Sequence, residues 1–282
     1  MGFYINVQIA MESIKIVKNG QYSVDGETIL IEKEVENMME NTLLYLPDDF
    51  ADLKDKVEVA RNNELSKNKK TIISVTPETT TMAMQRLAKN SPACLNFASG
   101  VTPGGGFLNG SNAQEESLAR ASSLYESIRN QKDFYSFNKA TKSRLYSDHI
   151  IYSPNVVFFR DDAGKLMKDY YTGSVITSPA VNLRNIEVTP TFMSEVHRIM
   201  TKRIEKILDV AILNGHNTLV LGAFGCGVFS NDPRHVADYF KQLIGEGGIY
   251  ENVFDKIVFA IPVFDNKKDF NNMVFKSVFE GA

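Results

Sequence analysis

Apolar residues recur along this chain at two spacings, and the switching between them predicts helices alternating with strands. Residues 5–18 carry a helical pattern, and residues 20–32 alternate apolar with polar as a hairpin does. An acidic stretch follows, then a further helix is expected around 55–63. The polar run 61–70, RNNELSKNKK, reads as a solvated loop or a helix end. Residues 1–70 are accordingly expected to form an N-terminal accessory region and not an independent domain.

From Thr71 the rhythm changes. TIISV, residues 71–75, predicts a short buried strand that stops at a Thr-Pro turn signal. Residues 76–88 follow as a predicted helix, with Thr76 as its cap and Pro77 in the first turn. The strand ACLNFA, 93–98, runs straight into a Gly-rich loop. After it, residues 113–129 have helical spacing, with Leu118, Ala121, Leu124 and Ile128 on one face. Strands are predicted at 150–159, interrupted by Pro154, and at 171–177. The longest helical pattern spans 192–213, with Val196, Met200, Ile204, Ile207, Val210 and Ala211 in phase, and Asn214-Gly215 ends it. Then come a strand at 218–222, a second Gly-rich loop, a helix at 233–244, a strand at 256–261 and a polar tail. This order predicts an α/β fold of three layers, α/β/α, around a mixed or largely parallel sheet, with 71–282 as one compact unit.

Composition narrows the function without naming it. Hydrophobic residues make up 43% of the 282 positions and charged residues 23%, as in an ordinary globular chain. With 31 basic against 34 acidic side chains, the net charge of -3 lacks the surplus with which a protein grips a long polyanion, so no direct DNA binding is expected. An anionic ligand would need a local pocket, which backbone N–H groups can supply. Two cysteines in apolar or Gly-rich surroundings suggest a reducing compartment. The N-terminus has no signal-peptide pattern, and no run approaches the roughly 18 apolar residues of a membrane span, so a cytoplasmic protein without membrane attachment is expected.

Two strands end in Gly-rich loops that lead into helices, at 98–116 and 222–233. In open α/β sheets ligands sit beyond the carboxyl ends of strands. Glycines there let N–H groups approach a phosphate, and the next helix N-terminus adds a favourable dipole. Glycines alone serve turns as readily as ligands. Here the first loop also carries adjacent carboxylates, Glu115 and Glu116, at the start of a helix; they suit either chemistry or simple complementation of the helix dipole.

The spacing Gly104-Gly105-Gly106, seven residues, then Gln114-Glu115-Glu116 resembles the signature of the poly(ADP-ribose) glycohydrolases. Asn96-Phe97-Ala98-Ser99 upstream and the second loop, GAFGCGVFSNDP from Gly222, are similar to the bacterial-type members, as is the N-terminal segment. The likeness covers most of the chain and implies a macrodomain-like fold. One departure is Phe224, where those relatives often carry Trp; it keeps the ring and loses the N–H donor.

The resemblance implies hydrolysis of the ribose–ribose O-glycosidic bond of poly(ADP-ribose), releasing ADP-ribose from the chain end. Glu116 would be the catalytic acid and base, with a pKa raised in the liganded site by Glu115 and the substrate diphosphate. Glu115 would bind hydroxyls of the riboses flanking the bond, and Gln114 would position the turn. Asn96 would bond the distal ribose, or else cap the strand end. Gly104, Gly105, Gly106, Gly225, Cys226, Gly227 and Val228 would present N–H groups to the diphosphate, and Phe229 would pack on the distal ribose or belong to the core. Cys226 is not read as a nucleophile, because His149, His197, His216 and His235 are scattered. No His/Cys/Asp cluster has metal-ligand spacing, so no metal or cofactor is expected. The expected partners are ADP-ribose and poly(ADP-ribose) on modified proteins, met by a monomer. Removal of single ADP-ribose units is an alternative within the same fold. A non-catalytic ADP-ribose reader is another, but a carboxylate beside an anionic ligand weakens binding unless it has a use.

Overall fold

The computed structural model describes residues 2–263 and 269–281. Its elements run α1 (Phe3–Asn19), β1 (Gln21–Val24), β2 (Glu27–Leu30), α2 (Glu32–Glu40), β3 (Leu43–Tyr45), α3 (Asp49–Asp52) and α4 (Lys54–Leu65). They continue with β4 (Ile72–Thr76), α5 (Thr80–Leu87), β5 (Ala93–Phe97), α6 (Gln114–Ala121), α7 (Leu124–Arg129), α8 (Lys132–Thr141), β6 (Ile150–Arg160) and β7 (Leu166–Ser178). The last are α9 (Pro190–Leu213), β8 (Thr218–Leu221), α10 (Pro233–Ile244), β9 (Lys256–Ala260) and α11 (Phe270–Phe279).

Apart from the β1–β2 hairpin, the strands form one seven-stranded mixed sheet in the order β3-β6-β7-β5-β8-β9-β4. From β7 to β4 every neighbouring pair is parallel, while β6 runs antiparallel to both β7 and β3. Side chains alternate across the sheet with period two. Leu95, Leu219, Leu221, Ile257 and Phe259 face a core built with α9 and α10. Cys94, Val220 and Val258 face a second core built with α1, α2, α5, α6 and α7. Burial on both faces explains why the central strands read as continuous apolar runs. It also produces the three layers that the alternation of elements predicts.

Several boundaries differ from the sequence reading, each for a local reason. Thr76 does not cap a helix; it ends β4, paired with Ala260. The helix starts later, at Thr80, and its cap is Thr79, whose Oγ1 accepts from the Met82 N–H at 3.2 Å. The single helix expected over 113–129 is broken into α6 and α7 at Ser122-Ser123. Ser122 is fully extended and bridges Phe158, the Ser123 N–H donates to the Val157 carbonyl at 2.9 Å, and the Val157 N–H donates to Ser123 Oγ at 3.0 Å. Pro154 does not interrupt β6, because the register shift between Ser153 and Val156 absorbs it as a bulge. The expected polar tail holds α11, whose Phe275 is buried against Phe259 at a centroid separation of 5.2 Å.

The first 65 residues do not stand apart. β3 pairs with β6 in the main sheet. Elsewhere α1 packs against the first Gly-rich loop and the helix that follows it. Asn6 Nδ2 donates to the Gly110 carbonyl at 3.0 Å, and Ser13 Oγ donates to the Arg120 carbonyl at 2.8 Å.

Candidate active site

The parallel strands β5, β7, β8 and β9 all deliver their carboxyl ends to one edge, where both Gly-rich loops lie. A cavity of 580 Å³ opens there between the N-terminus of α6 and the loop after β8. Its walls include Phe97, Ala113, Gln114, Gly225, Gly227, Val228 and Phe229, with Ala180, Ile261 and Phe270 adding apolar surface.

Gln114 stitches α6 to the end of β5. Its Oε1 accepts from the Phe97 N–H at 2.9 Å, and its Nε2 donates to the Leu95 carbonyl at 2.7 Å. That anchors the following residues, so both glutamates enter the first helical turn at fixed depth. Glu116 accepts from two main-chain donors, Gly106 N–H at 2.8 Å on Oε1 and Ala113 N–H at 3.0 Å on Oε2. Because Ala113 lines the cavity, the Glu116 carboxylate lies one hydrogen bond from its surface.

Glu115 is set deeper, 3% exposed against 8% for Glu116. Its Oε2 accepts from the Ser99 N–H at 2.7 Å, and its Oε1 lies 3.4 Å from Asn96 Nδ2. Burial, reinforced by the neighbouring Glu116 against the hydrogen bond from Ser99, raises the Glu115 pKa to about 8. Glu115 therefore holds a proton in most molecules at neutral pH and can donate as well as accept.

The two loops use their N–H groups differently. In the first, the Gly105 N–H donates to the Thr102 carbonyl at 2.9 Å and the Gly106 N–H is taken by Glu116. A Cβ at position 105 would lie 2.5 Å from Glu116 Oε1, at a φ of +56° that few side chains tolerate, so Gly is required there. In the second loop, the N–H groups of Gly225, Gly227, Val228 and Phe229 donate to no acceptor among the described residues. Asn231 holds this loop open by donating to the carbonyls of Val181 at 2.7 Å and Gly225 at 3.1 Å.

The catalytic domain family of microbial-type PARG, the poly(ADP-ribose) glycohydrolases, matches residues 10–161. Among solved structures, the glycohydrolase of Thermomonospora curvata bound to the inhibitor ADP-HPD is 40% identical, with a TM-score of 0.86 over 96% of this chain and 98% of that one. A second structure of the Thermomonospora curvata glycohydrolase is 39% identical, with a TM-score of 0.88 over 98% and 100%. The Deinococcus radiodurans glycohydrolase in complex with ADP-ribose is 36% identical, with a TM-score of 0.80 over 90% and 99%. Among curated proteins none matches. The chain belongs to the microbial-type poly(ADP-ribose) glycohydrolase family. It is a glycosidase with the macrodomain-like α/β fold of its relatives.

Within this glycohydrolase, three expected contacts take a different form. Asn96 is fully buried behind Glu115 and also bonds Thr177 at 3.2 Å, so in this structure it orients the carboxyl and does not face the cavity. The Gly106 N–H seats the Glu116 carboxylate and the Gly105 N–H is taken by the Thr102 carbonyl, so neither is presented to a ligand. The Cys226 N–H is engaged by the Ala223 carbonyl at 3.1 Å, leaving Gly225, Gly227, Val228 and Phe229 as the second loop's donors. Burial drives the Cys226 thiol pKa strongly upward, which disfavours a thiolate nucleophile. Phe224 is core, packed on Phe97 at 5.7 Å.

Sequence reasoning missed Ser99 as the donor to Glu115, although the residue lies inside the quoted NFAS element. It also missed Tyr146, whose ring packs on Phe229 at 5.8 Å. No sequence signal marked it. Among the described residues no three His, Cys, Asp or Glu side chains gather as a metal would require, and no helix is long and apolar enough to cross a membrane.

Proposed function

We propose that this chain hydrolyses the ribose–ribose bond of poly(ADP-ribose), releasing ADP-ribose from the end of the polymer, with Glu116 as general acid and base. The observation that carries it is the division of the cavity's two walls. Directly behind one wall, at Ala113 and Gln114, lie two carboxyl groups fixed by main-chain donors, and the opposite wall carries four N–H groups without partners among the described residues. A diphosphate suits the second wall, since successive N–H groups in a turn form an anion nest. The carboxyl groups then stand toward the distal ribose.

Glu116 delivers a proton to the oxygen leaving the ribose carbon as the bond breaks, then accepts one from the water that adds to that carbon. Glu115, protonated by its burial, bonds ribose hydroxyls without adding negative charge beside the diphosphate. Phe229 packs on the distal ribose. A reader of ADP-ribose has no use for two buried carboxyl groups, one of them raised to about 8. We read residues 1–70 as an accessory region that braces the first loop through α1, and 71–282 as the catalytic unit. The enzyme acts as a cytoplasmic monomer on polymer attached to proteins.

The test is release of free ADP-ribose from purified polymer by the native chain and by Glu116→Gln, in EDTA. Release by the native chain, lost in the variant while ADP-ribose binding persists, is expected. Binding by both with release by neither would sink the polymer hydrolase.

A further inference from the structure

A second cavity, of 610 Å³, lies on the far side of the Tyr146–Phe229 pair. Four cations line it, Lys139, Lys142, Arg144 and Arg184, and no acidic side chain does. None of the four forms an ion pair among the described residues; Arg144 Nη1 donates to the Arg184 carbonyl at 2.6 Å, tying the two segments together. Such a concentration of positive charge runs against the chain's overall charge of -3.

The groove's backbone is held in unfavourable conformations. Lys142, Tyr146 and Asn185 have φ of 51°, 53° and 57°, a left-handed region that residues other than Gly and Asn rarely adopt. Neighbours hold the strain: the Ser147 N–H donates to Asn138 Oδ1 at 2.8 Å, and Arg203 Nη2 donates to the Tyr146 carbonyl at 3.2 Å.

The groove also connects to the carboxyl groups. Val101, in its lining, is two residues beyond Ser99, whose N–H binds Glu115. A Cβ on Gly100 would meet the Tyr146 ring at 2.7 Å, so Tyr146 packs closely on the first loop as well as against Phe229.

We propose that this groove binds the diphosphate of the next ADP-ribose unit, on the leaving side of the bond that is cut. The inference rests on the glycohydrolase reading above. With one ADP-ribose in the first cavity and its distal ribose on Phe229, the polymer leaves past Tyr146 and enters the groove. Two Arg and two Lys there meet a diphosphate, for which guanidinium forks and ammonium groups are the natural partners. Free ADP-ribose has no group that reaches the groove, so the groove raises affinity for polymer alone.

The test compares the native chain with Lys142→Ala/Arg144→Ala/Arg184→Ala. ADP-ribose release from purified polymer is measured across a series of KCl concentrations, and free ADP-ribose binding by calorimetry. The variant is expected to show a KM for polymer raised by about tenfold and a shallower dependence of log KM on log salt, as fewer phosphate contacts release fewer counterions. Its affinity for free ADP-ribose stays that of the native chain. If the triple variant does not fold, Lys142→Gly/Arg184→Ala takes its place, since Gly suits the left-handed conformation at 142. An unchanged KM and salt slope, with both proteins hydrolysing polymer, would overturn the proposal alone. So would a parallel fall in free ADP-ribose affinity, which would assign the groove to the first cavity. No release by the native chain would overturn the glycohydrolase reading and this inference with it.

Discussion

Replacing Glu115 with Gln should make the protein more stable at neutral and alkaline pH, and the gain should grow as pH rises. Its carboxyl has a pKa of about 8 when folded, raised by burial, against the ordinary value of 4.5 in the unfolded chain. Between those values the unfolded chain releases the proton and the folded chain keeps it. The unfolded state then binds fewer protons, so stability falls with rising pH, by up to about 1.4 kcal/mol per pH unit. Below pH 4.5 both states are protonated and the penalty vanishes. At pH 7, 2.5 units above the unfolded value, the penalty reaches about 3 kcal/mol as an upper figure. Gln removes it, because an amide does not ionise in either state. The Gln oxygen can still accept from the Ser99 N–H, and its NH₂ finds an acceptor once the Asn96 amide turns over to present Oδ1, which has no partner among the described residues, in place of Nδ2. Urea denaturation followed by circular dichroism suits a chain with no Trp, repeated at pH 5, 6, 7 and 8 for both proteins. The native chain should lose ground to the variant steadily across that range. A difference that stays constant with pH, or native stability rising relative to the variant, would refute the argument that Glu115 is buried as a neutral acid.

Two further substitutions test the scaffold. Gly225→Ala places a methyl group 2.5 Å from the Ala180 side chain at a φ of +76°, so the second loop must move; ADP-ribose affinity measured by calorimetry should fall, and stability should drop by at least about 1–2 kcal/mol. Arg203→Met removes a fully buried guanidinium that donates to Asp148 at 2.9 Å and to the Pro179 carbonyl at 3.0 Å. Stability in urea should fall by about 3–5 kcal/mol, with the 143–148 segment loosened in hydrogen exchange.

How much of this was legible in the sequence depended on whether the cause of a feature lay nearby in the chain. The helix over Pro233–Ile244 could be read to the residue, because Asp232 caps it through the Arg234 N–H, Pro233 opens it and Gly245 follows its end. The break between α6 and α7 could not, because Ser122 and Ser123 leave the helix to bond Phe158 and Val157, some 35 residues away. Helix α11 was hidden by the polar residues Asn271, Asn272 and Lys276. Its spacing of Val274, Phe275, Val278 and Phe279 would have served as a signal. At the site, the motif spacing picked out Gln114, Glu115, Glu116 and the second loop. It was silent on which N–H groups the carboxylates occupy, since that depends on how the loop folds back on its own helix.

That folding back accounts for how an anionic ligand can be accepted beside two carboxyl groups. Both loops are turns rich in N–H donors, and either could hold an anion. In the first, the anion is built in: Glu116 takes the Gly106 and Ala113 N–H groups, and Glu115 takes that of Ser99. Their negative charge is met locally, and Glu115 is further neutralised by the proton its burial retains. In the second loop, the donors of Gly227 and Val228 are exposed and meet no acceptor among the described residues. In the proposed reading a diphosphate is therefore drawn to one wall of the cavity while the acid–base chemistry stays behind the other. The distance between the loops, set by β5 and β8 lying side by side in the sheet, would keep like charges apart, with the ribose of the proposed substrate between them.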